Sequence, residues 1–189
     1  MNTPTNTTPP ADPLYGVSAT PACFVGETRD AQSQALYAVI AQHPFFMGMI
    51  PRHLQELADA AFQLQFEEGE NVFAEGTPAN RFYLILKGKV VLESELADRT
   101  VIPVQTLGPG DDLAWSWLFP PYSMHFSARA LEPTTTIFFY GTRLREQCDE
   151  DHELGYQLMK RIAEVATKCL HATQTRLTEY IDRHGLSRG

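Results

Sequence analysis

The feature that most limits the folds open to this chain is a succession of short apolar segments separated by glycine turns. Phe62, Leu64 and Phe66 alternate with polar residues, and a period of two is typical of a half-buried β-strand. Further strands are predicted at 71–74, 81–87, 89–95, 101–106, 126–131 and 135–140. The turn signals between them are Glu68-Gly69, Glu75-Gly76, Lys87-Gly88 and Gly108-Pro109-Gly110. Short strands at intervals of roughly 8–12 residues predict a sandwich, barrel or roll.

Helices are predicted on both sides of these strands. From Asp30 the apolar residues recur at helical spacing, at Ala31, Ala35, Leu36, Val39 and Ile40. This helix should end at His43-Pro44, because proline lacks an amide hydrogen and forces the preceding residue into an extended conformation. A short helix is predicted from Pro51, with its buried side formed by Leu54, Leu57, Ala58 and Ala61. The chain becomes helical again after Gly141.

The C-terminal helix carries a near-heptad apolar stripe. Its members are Leu158, Ile162, Val165, Cys169, Ala172 or Thr173, Leu177, and Tyr180 or Ile181. A long helix at the end of a small roll cannot bury its whole stripe internally, so we interpret the stripe as the seam of a homodimer. The alternative is that this face packs only on the strands of its own chain.

Length and charge exclude several classes of protein. The 189 residues are enough for one domain with a tail, and such a chain can form a core without disulfides or metals. Fifteen Lys and Arg against 23 Asp and Glu give a net charge of −8, which argues against binding to nucleic acid or anionic membranes. The chain contains no run of about 18 apolar residues, so no transmembrane helix is predicted.

The N-terminal residues and the cysteines indicate a reduced, cytoplasmic location. Residues 1–28 are rich in Thr, Pro, Ala and Asn, which predicts a flexible leader, although its few apolar side chains would also allow it to lie against the domain. They lack the basic and apolar segments of a secretory signal. Cys23, Cys148 and Cys169 are odd in number and widely spaced, so neither a disulfide framework nor a structural zinc site is predicted.

Three segments carry a specific resemblance to a known family. They read FEEGENVFAEG at 66–76, RFYLILKGKV at 81–90 and LGPGD at 107–111. In this order they resemble the cyclic nucleotide-binding domain of the Crp–Fnr superfamily, over roughly residues 43–183. The resemblance implies a mainly β fold with flanking α-helices: a double-stranded β-helix, or jelly-roll-like β-roll, with N-terminal helices and a long C-terminal helix. We expect a leader at 1–28, the roll with its N-terminal helices at 29–150, and the helix at 151–189.

The ligand site of this family is a phosphate-binding cassette, which the resemblance implies at 112–131. The family's glutamate holds the ribose hydroxyl, its arginine pairs with the cyclic phosphate, and amides at a helix N-terminus add partial positive charge. Here Trp115 replaces the glutamate, Met124 (or His125, with a one-residue gap) replaces the arginine, and Phe126 replaces a small alanine. Arg129 is expected on a strand beyond the pocket. The candidate ligand-binding residues are Ala114, Trp115, Ser116, Met124, His125, Phe126 and Ser127.

These replacements predict that cAMP and cGMP do not bind in the usual way. Losing the charge-assisted phosphate pair should lower affinity by about two orders of magnitude or more. The aromatic-rich stretch 115–122 either stacks on a flat apolar ligand or fills a vacated pocket, and we favour the second interpretation. The family's base-contacting positions on the long helix fall, by counting, on Cys169 and Leu170.

No metal, cofactor or catalytic residue is assigned. His125 has no second ligand at coordinating spacing. A haem sensor would use His125 or His171 as its axial ligand, and an iron–sulfur sensor would need clustered cysteines. Adjacent strand residues face opposite sides, so Asp111 and Asp112 are interpreted as turn residues and not as a catalytic pair. No P-loop, Gly-x-Ser-x-Gly or HExxH motif occurs.

Five residues after His184 leave no room for the winged helix-turn-helix that DNA-binding members of the superfamily carry. We therefore expect a stand-alone, non-catalytic regulatory sensor or adaptor, homodimeric and acting on a regulatory protein partner, without nucleic acid or membrane. The alternative is a genuine sensor of a cyclic nucleotide or a flat apolar ligand, with a haem sensor as a third possibility. An open cavity lined by amides and His125 would favour a sensor, and a phosphate position filled by Trp115, Met124 and Phe126 with no cavity would favour an adaptor.

Overall fold

The computed structural model describes residues 29–184, so the predicted leader at 1–28 lies outside the described residues. Its helices are α1 Arg29–Gln42, α2 Pro51–Asp59, α3 Gly141–Glu150 and α4 His152–His184, with 3₁₀ turns at Pro44–Phe46 and Trp115–Leu118. Helix α1 ends just before His43, whose Nδ1 accepts a hydrogen bond from the Phe45 amide at 3.2 Å. None of the helices between residues 29 and 184 combines the length and the apolar character that a bilayer-crossing segment requires.

Within residues 29–184 eight strands form two antiparallel sheets. They are β1 Ala61–Phe66, β2 Asn71–Phe73, β3 Arg81–Lys87, β4 Val90–Glu95, β5 Val101–Leu107, β6 Asp112–Leu113, β7 Ser127–Ala130 and β8 Thr134–Tyr140. One sheet has the order β1-β8-β3-β6 and the other β2-β7-β4-β5. All strands except the two-residue β6 were predicted to within one residue at each end. The predicted fold class, a jelly-roll-like β-roll with N-terminal helices and a long C-terminal helix, is confirmed.

The core has two parts, which lie on opposite faces of the first sheet. Along β3 the side chains of Phe82 and Leu84 join the helices, whereas those of Tyr83 and Ile85 enter the roll interior, because successive strand residues face opposite sides. The part on the helix side contains Trp117, which is 0% exposed. The helix-side part holds the long helix against the roll.

The first half of α4 belongs to the helix-side core. Leu154, Leu158 and Ile162 are 0%, 1% and 0% exposed and cluster with Leu57 of α2. The prediction that Leu158 and Ile162 lie on a dimer seam is therefore wrong, because these side chains already pack inside their own chain. Leu177, a predicted seam residue in the second half of the helix, is 57% exposed.

The direction of α4 is set at its first turn by Asp151. One carboxylate oxygen, Oδ1, accepts hydrogen bonds from the amides of Glu153 at 3.0 Å and Leu154 at 3.2 Å, an N-terminal cap of the usual kind. The other, Oδ2, lies 2.6 Å from an Arg52 guanidinium nitrogen and 3.2 Å from Nε2 of His53. Since Arg52 and His53 belong to α2, the start of α4 is tied to the N-terminal helices.

Candidate functional site

A cavity of about 460 Å³ lies between the roll and α4. This volume falls within the range of about 300–1,000 Å³ typical of small-molecule sites. The roll contributes the stretch 110–116 and residues 124–126, and α4 contributes one face between Gln157 and Cys169. The predicted cassette therefore surrounds an open space.

Six of the seven predicted ligand-binding residues line this cavity. They are Ala114, Trp115, Ser116, Met124, His125 and Phe126. Ser127 is the exception, and its assignment is corrected: it begins β7, and its hydroxyl oxygen accepts a hydrogen bond from the Glu75 amide at 3.0 Å. The hydroxyl is thus used to join two edges of the roll.

Met124 stands where the resemblance implies a phosphate-binding arginine. Its amide donates to the Thr77 carbonyl at 2.8 Å, and its carbonyl accepts from the Gly76 amide at 2.9 Å. The side chain is 5% exposed and packs in the roll-interior core with Ala114. An uncharged thioether therefore occupies the position from which a cation would hold a phosphate.

The two indoles have different environments. Trp115 is half-buried at the cavity, where its ring centroid lies 5.6 Å from that of His125 and 6.5 Å from that of Phe119. Trp117 points into the helix-side core, 6.0 Å from Phe82. The predicted aromatic stretch therefore divides: one indole fills the core, and the other remains available at the cavity.

Arg129 lies on a strand, as the sequence predicted. It belongs to β7, and its guanidinium forms a two-pronged ion pair with Glu93 of β4, through Nε at 3.2 Å and through the terminal nitrogen. This pairing raises the pKa of Arg129. The arginine nearest in sequence to the cassette is thus held by a carboxylate of the roll.

Asp112 is a cavity residue that sequence reasoning missed. It pairs with Leu84 in the sheet, and its neighbour Leu113 enters the roll interior, so the carboxyl group faces α4. Its Oδ2 is buried and has no hydrogen-bond partner among the described residues. Burial raises the pKa of Asp112 to about 7; the charge of Asp111 adds to this rise and that of Lys168 opposes it.

Asp111 behaves as the sequence predicted. Its Oδ2 accepts a hydrogen bond from the Gly108 amide at 2.9 Å and so closes the glycine turn. The side chain is exposed, in contrast to that of Asp112. The two carboxylates therefore have separate roles.

The cavity face of α4 carries three basic residues and one acidic residue. Arg161 donates to the Met47 carbonyl at 2.8 Å and to the Gln157 side-chain oxygen at 2.7 Å, so its guanidinium is engaged by the protein. Lys160 and Lys168 are exposed at the rim, with Glu164 between them. The positive charge of the site thus lies on the helix, and the negative charge of Asp111 and Asp112 lies on the roll.

Two further predicted seam residues also belong to the cavity. Val165 and Cys169 line it, so their assignment to a dimer seam is corrected; Cys169 is also one of the two positions counted for base contact, and that role stays a prediction. Burial raises the pKa of the Cys169 thiol. Leu170, the other counted position, is 56% exposed on a different face. In the described part of the chain no group of three or more His, Cys, Asp or Glu side chains is arranged to hold a metal ion.

The fold and the cavity define the chain as a β-roll domain closed by its C-terminal helix. Residues 63–151 match the family model described as the cyclic nucleotide-binding domain. This part of the chain, a little under half of its length, thus matches the domain that the glycine-turn resemblance predicted.

Relatives with this domain include regulators. The CRP-like cAMP-activated global transcriptional regulator of Mycobacterium tuberculosis is 26% identical over 125 residues, which are 66% of this chain and 56% of that protein. The chain thus spans little more than half the length of this curated relative.

Solved structures share the fold. A Geobacter metallireducens protein described as cyclic nucleotide-binding is 28% identical with a TM-score of 0.63, covering 74% of this chain and 98% of its own. The regulatory subunit of a cAMP-independent protein kinase A from Trypanosoma cruzi, bound to guanosine, is 19% identical with a TM-score of 0.63, covering 84% and 53%. The second likeness shows the fold alone.

Proposed function

We propose that this chain is a non-catalytic regulatory module that senses a small molecule other than cAMP or cGMP. The observation that carries this proposal is the open cavity of about 460 Å³ in which Met124 occupies the expected phosphate position. The sequence favoured a filled pocket and left both a sensor and an adaptor open, and the open cavity, which includes His125, supports the sensor.

On the roll side of the cavity the charges oppose a cyclic phosphate, whereas Lys160 and Lys168 lie on α4 at the rim. Trp115 offers no carboxylate to a ribose hydroxyl, and Arg129 is already paired with Glu93. Asp111 and Asp112 add negative charge to the roll side of the site. A ligand without a phosphate avoids both the missing cation and this repulsion.

A related fold supports a ligand of this kind. The Trypanosoma cruzi protein is described as cAMP-independent and as bound to guanosine, and a nucleoside carries no phosphate. The Mycobacterium tuberculosis relative, in contrast, is described as cAMP-activated. Because of its cavity residues, we propose that the present chain resembles the Trypanosoma cruzi protein in binding a ligand without a phosphate.

The output of the module is proposed to be a homodimer formed by the outer face of α4. Tyr156, Met159, Ala163, Leu170 and Leu177 are exposed there at intervals of 3, 4, 7 and 7 residues. Intervals of this kind are typical of a seam between two helices. Because Val165 and Cys169 of the same helix line the cavity, a bound ligand would bias the position of the seam.

A regulatory protein partner is the second candidate for the output. Phe119 and Tyr122, which follow the second 3₁₀ turn, are 38% and 39% exposed, and the Arg145 guanidinium lies 4.5 Å from the Tyr122 ring centre. An exposed, ordered aromatic pair is typical of a docking surface for a protein. In this proposal the roll at 29–150 recognises the ligand, and the helix from 151 transmits the signal to the partner. The module would act in the cytoplasm.

Two measurements test the proposal. Native mass spectrometry of the purified chain should detect a co-purifying small molecule, and isothermal titration with cAMP and cGMP should give no saturable binding in the low-micromolar range. Low-micromolar binding of either cyclic nucleotide would contradict the proposal. A chain that carries no ligand and responds to none in a metabolite panel would favour the adaptor.

A further inference from the structure

Asp112 is a buried carboxyl group that the fold itself does not use. Asp112 lines the cavity, and its Oδ2 is buried and has no hydrogen-bond partner in the described part of the chain. The positive charge of Lys168 on α4 acts on Asp112, but the Lys168 side chain is exposed. Within residues 29–184 no ion pair joins Lys168 to Asp112. Burying an acceptor without a partner is costly, so a buried group of this kind in an open cavity indicates a function.

We infer that Asp112 is the recognition group of the cavity and that it accepts hydrogen bonds from adjacent N–H groups of a flat, uncharged heterocycle of the guanine type. This inference rests on the proposed function and names its ligand class. A carboxylate only accepts hydrogen bonds, and its two oxygens match two neighbouring donors.

The other walls of the cavity favour a flat ring. Trp115 and Phe126 provide aromatic surface on the roll side, and Val165 provides an apolar contact from α4. Bases stack favourably on aromatic side chains. An aliphatic amine would satisfy Asp112 but would leave these surfaces unused.

The donor pattern distinguishes related nucleosides. Guanosine presents N1–H and the 2-amino group on one edge, inosine lacks the 2-amino group, and adenosine places an acceptor beside its amino group. Hydrogen bonds to a charged group are strong enough that losing one lowers affinity by about tenfold to hundredfold. The expected order of affinity is therefore guanosine, then inosine, then adenosine.

The experiment is a titration of the full chain with each of these three nucleosides, measured by calorimetry and by tryptophan fluorescence. We expect guanosine to bind about tenfold or more tighter than inosine, and Asp112→Asn to remove this preference. Asp149→Asn, on the exposed surface of α3, is the matched control and should keep it. If Asp112→Asn does not fold, the ratio of the guanosine and inosine affinities of the unmodified chain still tests the inferred ligand class.

The outcomes separate the inference from the proposed function. Equal affinities for guanosine and inosine, or a guanosine affinity that Asp112→Asn leaves unchanged, would overturn the inference alone. A co-purifying ligand of another chemical class, with no nucleoside binding, would do the same. Failure of the nucleosides together with the absence of any co-purified ligand would overturn the proposed function as well.

Discussion

The imidazole of His125 lies against the indole of Trp115, with ring centroids 5.6 Å apart and ring planes inclined by 32°. Both side chains line the cavity, whereas Trp117 is fully buried in the core. The chain contains two tryptophans. Its intrinsic fluorescence therefore has one source at the cavity and one away from it.

This difference predicts the fluorescence of two variants. Trp115→Phe should remove any change in emission that a ligand causes, because Trp117 does not line the cavity. Trp117→Phe should keep the change but lower the free energy of unfolding by about 1–3 kcal/mol, since a fully buried ring loses volume. Titrations of emission and urea unfolding check the two effects. A ligand-dependent change that persists in Trp115→Phe would place the ligand elsewhere.

Restoring the family's charges should create a cyclic nucleotide site. The triple variant Trp115→Glu, Met124→Arg, Phe126→Ala returns the ribose carboxylate, the phosphate cation and the small residue. We expect cAMP to bind about a hundredfold or more tighter than to the unmodified chain, because charge-assisted hydrogen bonds are regained. Calorimetry measures this, and Trp115→Glu alone is the control. A folded triple variant that still ignores cAMP would refute the assignment of Met124.

The stability of the fold should depend on pH through Asp112. Burial raises its pKa in the folded chain to about 7, whereas an unfolded aspartate titrates near 3.9. The folded state therefore binds the proton more tightly than the unfolded state does. The stability that protonated Asp112 adds is complete below about pH 3.9 and is lost as the pH rises through about 7. Between pH 5 and 8 the unmodified chain should lose about 2 kcal/mol relative to Asp112→Asn.

Urea unfolding at the two pH values measures that loss. The difference between the unmodified chain and Asp149→Asn should stay constant over the same range, because Asp149 is exposed on α3. Asp111, Lys168 and Cys169 interact electrostatically with Asp112, and none of them is altered in either variant. A pH-independent difference for Asp112→Asn would mean that the carboxyl group is hydrated.

The turn at Gly88 should not tolerate a side chain. Its φ of +91° lies in the left-handed region, and an added Cβ would lie 2.7 Å from the Pro133 carbonyl oxygen. Gly88→Ala should destabilise the fold by about 1–3 kcal/mol. Gly108 has open space around it and no such φ, so Gly108→Ala should change stability by less than about 0.5 kcal/mol. Equal melting temperatures for the two variants would contradict this account.

The outer face of α4 should control the oligomeric state. Leu170→Asp and Leu177→Asp place a charge within the exposed apolar stripe, which would make a helix–helix seam unfavourable. We expect light scattering to report monomers for both. Leu131→Asp, 38% exposed and outside α4, is the control and should remain dimeric. Dimers that survive both helix substitutions would remove the stripe from the interface.

Sequence reasoning predicted what depends on local signals. A period of two and glycine turns are local, so all strands except β6 were located to within a residue. The side of α4 that meets the core is not local: the helix has two apolar stripes, and Leu158 and Ile162 differ by one position from the exposed Met159 and Ala163. One residue rotates the face by about 100°, and only the packing of α2 and the sheet decides which stripe is buried.

The site was predicted in the same uneven way. The cassette residues were found because their positions follow a glycine turn. Asp112 was interpreted as part of that turn, and its burial could not be recognised because it depends on α4, more than 40 residues later in the chain. The environment of Trp117 likewise depends on contacts with Phe82 from another strand.

The attachment of Asp151 to Arg52 and His53 has a mechanical consequence. Together with the burial of Leu154, Leu158 and Ile162 it holds the first third of α4 on the roll, while the 20 residues from 165 to 184 extend about 30 Å further. A bend of about 5° where Val165 meets the cavity would displace the end of α4 by about 3 Å, the rise of about two helical residues. A small adjustment at the cavity would thus produce a displacement at the end of α4 that a second molecule could detect.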